Sequence, residues 1–367
     1  MDFSIGEDRQ MLVDTLSRYL ADKADWKARE AALESEAGYD KDMWQGMAEL
    51  GILGALFGEE VGGFGGSPFD IGVVFGEVGR GLPTGPFLAT LLAGKLLEAA
   101  GDEETLGDVI GGASIASFAH EAAVGADGSV AEQTTATKSG DSWTLTGAKG
   151  VVDYLGSADI VVVTAETGGG LAAFLVETGA SGVEVRDYPL VDGGAAGELT
   201  LSSAPAKLLT EDATAIDAAL AAGVVATAWE AAAVMEVLRD QTLEYLRTRK
   251  QFGIPIGKFQ ALQHRMATVS LEIEQARSAA INAAAFFDGN AKERDRFGAA
   301  AKYTLGKVGR LVAEEAIQLH GGIGMTWELP LSHYAKRLIM LGHVLGDEDE
   351  HLARFIELSA QQTGRAA

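Results

Sequence analysis

Helical periodicity governs both ends of this chain, and a strand-rich stretch beginning near residue 113 separates them. Across 8–24, Met11, Leu12, Thr15, Leu16, Tyr19 and Leu20 recur at spacings of three and four, which is one face of a helix. Across 41–50, Met43, Trp44, Met47 and Leu50 repeat the pattern, and Ala/Leu/Val-rich segments follow at 69–80 and 86–100. The texture then changes. Short runs at 114–119, 134–138, 143–146, 159–164 and 171–176 are rich in Val, Thr, Ile and Phe, with glycine turns between them. Ser139-Gly140-Asp141 predicts a hairpin turn. From about 208, Ala-rich amphipathic runs extend through 249, 257–287 and 291–319, and shorter helices are expected at 331–340 and 348–361. Helices, then strands, then long helices make an α+β chain with segregated regions, not an alternating βαβ one. The expected domains are 1–112 all-helical, 113–207 β and 208–367 a helical bundle.

A chain of 367 residues exceeds one ordinary core, and 47% apolar residues suffice to fill two or three. No run of about 18 uninterrupted apolar residues occurs, so membrane insertion is not expected. The start, MDFSIGEDRQ, lacks the basic and apolar parts of a signal peptide, which makes a cytoplasmic location the default. With no cysteine, disulfides, thiolate metal sites and a cysteine nucleophile are excluded. A net charge of −24 repels nucleic acid and anionic membranes. An anionic ligand must therefore find a local cationic or dipolar site.

The common nucleotide motifs are missing: no G-x-G-x-x-G follows a predicted strand, and no P-loop pattern is present. G-x-S-x-G is absent, and the six histidines show no ligand spacing. The most informative segment is Arg247-Thr248-Arg249-Lys250-Gln251-Phe252-Gly253-Ile254-Pro255-Ile256-Gly257-Lys258-Phe259-Gln260. It is a helix end, a tight Gly/Pro turn and a second helix start. Its guanidinium groups suit a phosphate, although basic residues at a helix C-terminus are also favoured by the dipole alone. The second segment is Gln318-Leu319-His320-Gly321-Gly322-Ile323-Gly324, followed by Glu328 and Pro330. Adjacent glycines permit close approach of a ligand, or simply stop a helix.

Taken together and in this order, the two segments resemble the acyl-CoA dehydrogenase family. The pattern R-x-Q-F-G-x-x-I-x-x-F-Q matches at Arg249, Gln251, Phe252, Gly253, Ile256, Phe259 and Gln260, and Q-x-x-G-G-x-G at Gln318, Gly321, Gly322 and Gly324. The loop 59–67 and Leu145-Thr146-Gly147-Ala148-Lys149 resemble two further family elements. The resemblance implies an N-terminal helical domain, a middle β-barrel and a C-terminal four-helix bundle, assembled as a dimer of dimers. It implies FAD as cofactor, an acyl-CoA thioester as substrate and an electron-transfer flavoprotein as acceptor. It assigns Arg249, Gln251, Phe252, Gln260, Gln318, Gly321 and Gly322 to the ADP half of a flavin held mainly by a neighbouring subunit.

Other positions depart from the family. The glutamate that removes the α-proton would fall at Leu345, in Val344-Leu345-Gly346-Asp347, and the alternative base position falls near Gly223-Val224. Neither offers a proton acceptor. The strand bearing flavin contacts becomes 118–127, including His120 and Glu121, and the element after Lys149 becomes Val151-Val152-Asp153-Tyr154. An acidic Asp153 would disfavour an anionic reduced flavin. These departures resemble the partner subunits of heteromeric members, notably those of actinobacterial steroid side-chain degradation. The expectation is a subunit without its own base that completes a partner's FAD site. The alternatives are a self-sufficient enzyme with Asp347 or Glu348 as a displaced base, and a flavin-free structural relative.

Overall fold

The structure, a computed structural model, describes residues 6–125 and 128–362. The first helices are α1 (Glu7–Lys23), α2 (Trp26–Glu34), α3 (Lys41–Glu49), α4 (Pro68–Gly81), α5 (Phe87–Ala100) and α6 (Glu103–Ile110). Strands follow: β1 (Ala116–Ala119), β2 (Thr135–Ser139), β3 (Ser142–Asp153), β4 (Ile160–Thr167), β5 (Gly170–Glu177), β6 (Val183–Pro189) and β7 (Ala195–Thr210). The remaining elements are α7 (Ala213–Thr248), β8 (Lys250–Gln251), β9 (Ile254–Pro255), α8 (Gln260–Ala285), α9 (Ala291–His320), α10 (Pro330–Leu341) and α11 (Glu348–Gln362). The order of helices, strands and long helices is the α+β arrangement expected from sequence.

The chain divides into two units. One comprises Met1–Arg18, Ile71–Leu82 and Val224–Ala367, the other Tyr19–Asp70 and Pro83–Gly223. In the second unit, pairing runs round a closed path β4–β5–β7–β3–β2–β4, with β1 added beside β4 and β6 beside β7. The expected hairpin closes at Ser139↔Ser142, leaving Gly140 and Asp141 as the turn, with Gly140 at φ +62. The strands β6 and β7 carry exposed polar residues at alternate positions, so their composition gave no strand signal. The wall of β4 and β5 is apolar, with Val161, Val162, Val163 and Phe174 fully buried. Tyr154 stands at φ +50, accepts the Gly85 N–H at 2.8 Å and meets Tyr39 edge-on.

In the first unit, α9 is central: α8, α10 and α11 all pack against it. Its inner stripe of Ala299, Leu305, Val308, Val312, Ala313 and Ala316 is buried, at the spacing an amphipathic helix requires. Glu230 on α7 is 2% exposed and accepts a two-point ion pair from Arg337 on α10, at 2.6 and 3.0 Å. Removing either partner would strand a buried charge. The helix α7 is apolar and long enough to cross a membrane, although it has no run of about 18 uninterrupted apolar residues. Its most apolar window is 78% buried inside the protein, so that apolarity serves a core.

Candidate functional site

The end of α7 turns sharply into a hairpin. Ile256 donates its N–H to Arg249 O at 2.8 Å, and β8 and β9 pair as Lys250↔Pro255 and Gln251↔Ile254. The two linking residues, Phe252 and Gly253, have φ +53 and +81, as a type I′ turn demands. Glycine meets that demand freely, but a phenylalanine there is strained. Phe252 is also 90% exposed, so the hairpin does not hold this ring for the sake of its own core. Beyond the hairpin, α8 begins at Gln260 without a side-chain cap. Phe259 O accepts from the Leu262 and Gln263 N–H groups at 3.0 and 3.2 Å, and no side chain caps the first turn of this 26-residue helix, whose N-terminus is its positive end.

Cations cluster here without anions. Among the described residues, Arg247, Arg249, Lys250 and Lys258 have no carboxylate or side-chain hydrogen-bond partner. Elsewhere in the same unit arginines are neutralised: Arg265 by Glu315 at 2.6 Å, Arg310 by Glu348 at 2.8 Å, and Arg80 by Glu236 at 2.6 Å. On a chain of net charge −24, an uncompensated cationic end is a local exception.

The second motif meets the first through one ring contact. His320, the last residue of α9, stacks on Tyr245 of α7 with ring centroids 4.4 Å apart and planes 25° from parallel. Tyr245 lies one turn before Arg249, whose N–H it accepts at 2.8 Å. Gln318 is exposed just before His320, and Gly321–Met325 forms a 3-10 turn just after it. A Cβ added at Gly321 or Gly322 would meet nothing of this chain within 4 Å. Gly324 differs, since its Cβ would sit 2.9 Å from Ile317 O. Internal packing thus explains Gly324 but not Gly322. All seven residues singled out from sequence, Arg249, Gln251, Phe252, Gln260, Gln318, Gly321 and Gly322, are exposed.

The loop between α10 and α11 is held by this chain's own side chains. Leu345 is half-buried at φ +59, and its carbonyl accepts from His351 Nε2 at 2.8 Å. Lys302 on α9 is fully buried and donates from Nζ to Leu341 O at 2.8 Å and Val344 O at 2.6 Å. Burial pushes that ammonium down to about 8. Asp347 accepts the N–H groups of Asp349 and Glu350 at 2.9 and 3.0 Å, capping α11. Backbone hydrogen bonds, that of Glu350 first, hold its carboxyl below the ordinary range. Glu348 is engaged by Arg310. Sequence reasoning passed over Lys302 and His351. The signal for Lys302 was available, because it falls on the stripe that Leu305, Gly309 and Val312 continue. At the other expected base position, Val224 lies buried within α7, and its carbonyl accepts from Thr227 Oγ1 at 3.2 Å.

In the second unit, the polar groups of the segment that the resemblance places on the flavin side bond to one another. Lys149, 6% exposed, donates to His120 O at 2.6 Å and Thr164 Oγ1 at 3.3 Å. His120 Nδ1 meets the same Thr164 hydroxyl at 3.0 Å, and its ring stacks on Phe118. Burial pushes Lys149 down to about 8 and lowers His120. Asp153 ends β3, its carbonyl accepting from Ser117 Oγ at 2.8 Å. Ala126 and Asp127, at the end of the departing segment, lie outside the described residues. In the loop 59–67, a side chain at Gly63 or Gly65 would overlap the backbone of Phe57 or Ala55, so those glycines serve packing.

The sequence matches the family described as Acyl-CoA dehydrogenase, N-terminal domain, over residues 6–110, and Acyl-CoA dehydrogenase, C-terminal domain, over residues 213–354. Acyl-CoA dehydrogenase IpdE2 of Mycobacterium tuberculosis is 31% identical over 354 residues, covering 95% of this chain and 96% of that relative. Among solved structures, the ChsE4-ChsE5 complex from Mycobacterium tuberculosis superposes with a TM-score of 0.90 at 26% identity, over 98% of this chain and 99% of that one. A Tcur3481-Tcur3483 steroid ACAD variant gives a TM-score of 0.91 at 28% identity, over 98% and 100%. Matches at both ends in the same order, a relative aligned along its length and a shared fold lead to one assignment: this chain belongs to the acyl-CoA dehydrogenase family.

Proposed function

We propose that this chain is the subunit of a heteromeric, FAD-dependent acyl-CoA dehydrogenase that completes a partner's flavin site and brings no catalytic base of its own. The observation that carries the reading is a contrast within one unit. The cationic, glycine-lined end at Arg249 and Gly321–Gly322 is exposed and unpaired among the described residues, while Leu345 stands at the expected base position. The nearby carboxylates are occupied, Asp347 by a helix cap and Glu348 by Arg310.

The donor set fits the ADP half of FAD. Arg249 would take a diphosphate oxygen pair through its planar fork, and the amide side chains of Gln251, Gln260 and Gln318 would supply neutral hydrogen bonds. The open backbone at Gly321 and Gly322 lets an anion approach without a side chain in its way. Phe252 offers an exposed ring face for the adenine. The β unit does not offer a matching flavin face, because Lys149, His120 and Thr164 satisfy one another. Bound FAD supplies the hydride acceptor for α,β-desaturation of an acyl-CoA thioester. An electron-transfer flavoprotein would reoxidise it, in the cytoplasm. The likeness to a steroid ACAD supports a steroid side-chain thioester as the substrate class.

The test compares the chain expressed alone with the chain co-expressed with an adjacent homologous gene. Native mass, flavin per chain and desaturation of acyl-CoA esters with an artificial electron acceptor are measured for each. A flavin-poor, inactive chain that becomes part of a yellow, active complex is expected. Robust turnover by the chain alone would refute the proposal and favour Asp347 or Glu348 as a displaced base. A colourless complex would favour the flavin-free relative.

A further inference from the structure

We propose that Tyr245 and His320 are positioning residues for the nucleotide, and that their stacked rings set the spacing between the Arg249 guanidinium and the Gly321–Gly322 turn. This rests on the assignment of that end to the ADP half of FAD.

The two halves of the wall come from two helix ends, and helix ends fray. Arg249 follows the last residue of α7 and leads into a hairpin with strands of two residues, too short for independent stability. Gln318 and Gly321 stand at the C-terminus of α9. A two-point guanidinium–phosphate contact tolerates about 0.5 Å of misplacement. Something must therefore tie one end to the other.

The rings have the geometry for it. Tyr245 O accepts the Arg249 N–H at 2.8 Å, so the ring and the arginine belong to the same last turn of α7. His320 is 7% exposed, and its Nδ1–H donates to Ala316 O at 2.8 Å, which locks the ring plane to α9. Its Cβ lies against Gly324, where an added Cβ would be only 3.1 Å away, so the glycine turn is seated on the same residue. Burial lowers the His320 imidazole, against the opposing effect of its bond to Ala316 O, and so disfavours a charged ring in the stack. The Arg265–Glu315 ion pair ties α8 to α9 a turn earlier, but it does not reach the arginine's helix.

The experiment uses the complex with the catalytic partner and titrates FAD after its removal. Tyr245→Ala should raise the FAD dissociation constant about ten-fold, the upper range of a lost aromatic pair. Tyr245→Phe should stay within about two-fold of the parent. The core variant Val312→Ala should lower the melting temperature yet leave FAD affinity unchanged. Should Tyr245→Ala fail to assemble, Tyr245→Leu, which keeps volume without a ring, carries the same expectation. If Tyr245→Ala leaves FAD affinity intact while Arg249→Ala weakens it, the strut is overturned and the site assignment survives. Equal weakening by Val312→Ala would also overturn it, since general stability would then explain the effect. No effect from Arg249→Ala removes the assignment, and the strut with it.

Discussion

The ammonium of Lys302 donates a 2.6 Å hydrogen bond to the carbonyl of Val344, the residue before Leu345. A second bond to Leu341 O at 2.8 Å and the His351–Leu345 contact hold the rest of the segment. The loop between α10 and α11, where the proposed reading expects a base and finds Leu345, is thus pinned by this chain's own side chains. Substituting Lys302→Met should cost about 2 kcal/mol, because two buried carbonyls lose a charged donor. Urea unfolding measures the loss, and amide exchange should speed up selectively across 341–347. A variant as stable as the parent would show that water replaces the ammonium at no cost.

Alkaline pH tests the same group. Burial holds Lys302 down to about 8, below the ordinary lysine value. Between about pH 8 and about pH 10.4, the unfolded chain binds a proton at this site that the folded chain does not. Its contribution to stability must therefore rise with pH across that window, and the cost of the buried charge is fully present below it. The stability of the parent minus that of Lys302→Met should increase from about pH 7.5 to about pH 9.5. A difference that stays flat would mean the ammonium is solvated.

The two glycines that look alike in sequence should behave oppositely. Gly324→Ala places a methyl 2.9 Å from Ile317 O and should destabilise by about 2 kcal/mol. Gly322→Ala meets nothing in its own chain and should change stability by less than about 0.5 kcal/mol. It should nonetheless reduce flavin content in the complex, where the proposed ligand lies against that backbone. Thermal melts and flavin absorbance separate the two effects.

Arg249→Lys is the sharper probe of the cationic end. It keeps the charge and loses the planar fork, so FAD affinity in the complex should fall by about ten-fold, the value of one lost charge-assisted bond. Affinity equal to the parent would show that charge alone matters there.

Asp347→Ala distinguishes a cap from a base. Loss of the cap on α11 should cost about 1 kcal/mol. Desaturation by the assembled complex should remain within about two-fold of the parent, because no proton passes through this carboxylate in the proposed scheme. Abolished turnover with intact folding would reinstate Asp347 as the base.

Periodicity and turn residues made the long helices legible, because a helix that buries one stripe must write that stripe into its sequence at three and four. The same logic exposed β1–β5 but not β6 and β7, whose alternate residues face solvent and look like loop. The seven candidate residues were legible as two motifs only through the family resemblance, since basic residues and glycines at helix ends have ordinary structural reasons to be there. Their union was not. Only the folded chain brings Tyr245 against His320, 75 positions further along the numbering. Likewise, that Leu345 falls where the family resemblance expects a glutamate could be read from the sequence, while the engagement of Asp347, Glu348, Lys302 and His351 could not. Hydrogen-bond partners far apart in sequence are chosen by packing. The chain's letters state which groups it owns; the tertiary structure decides which of them its own interior has already used.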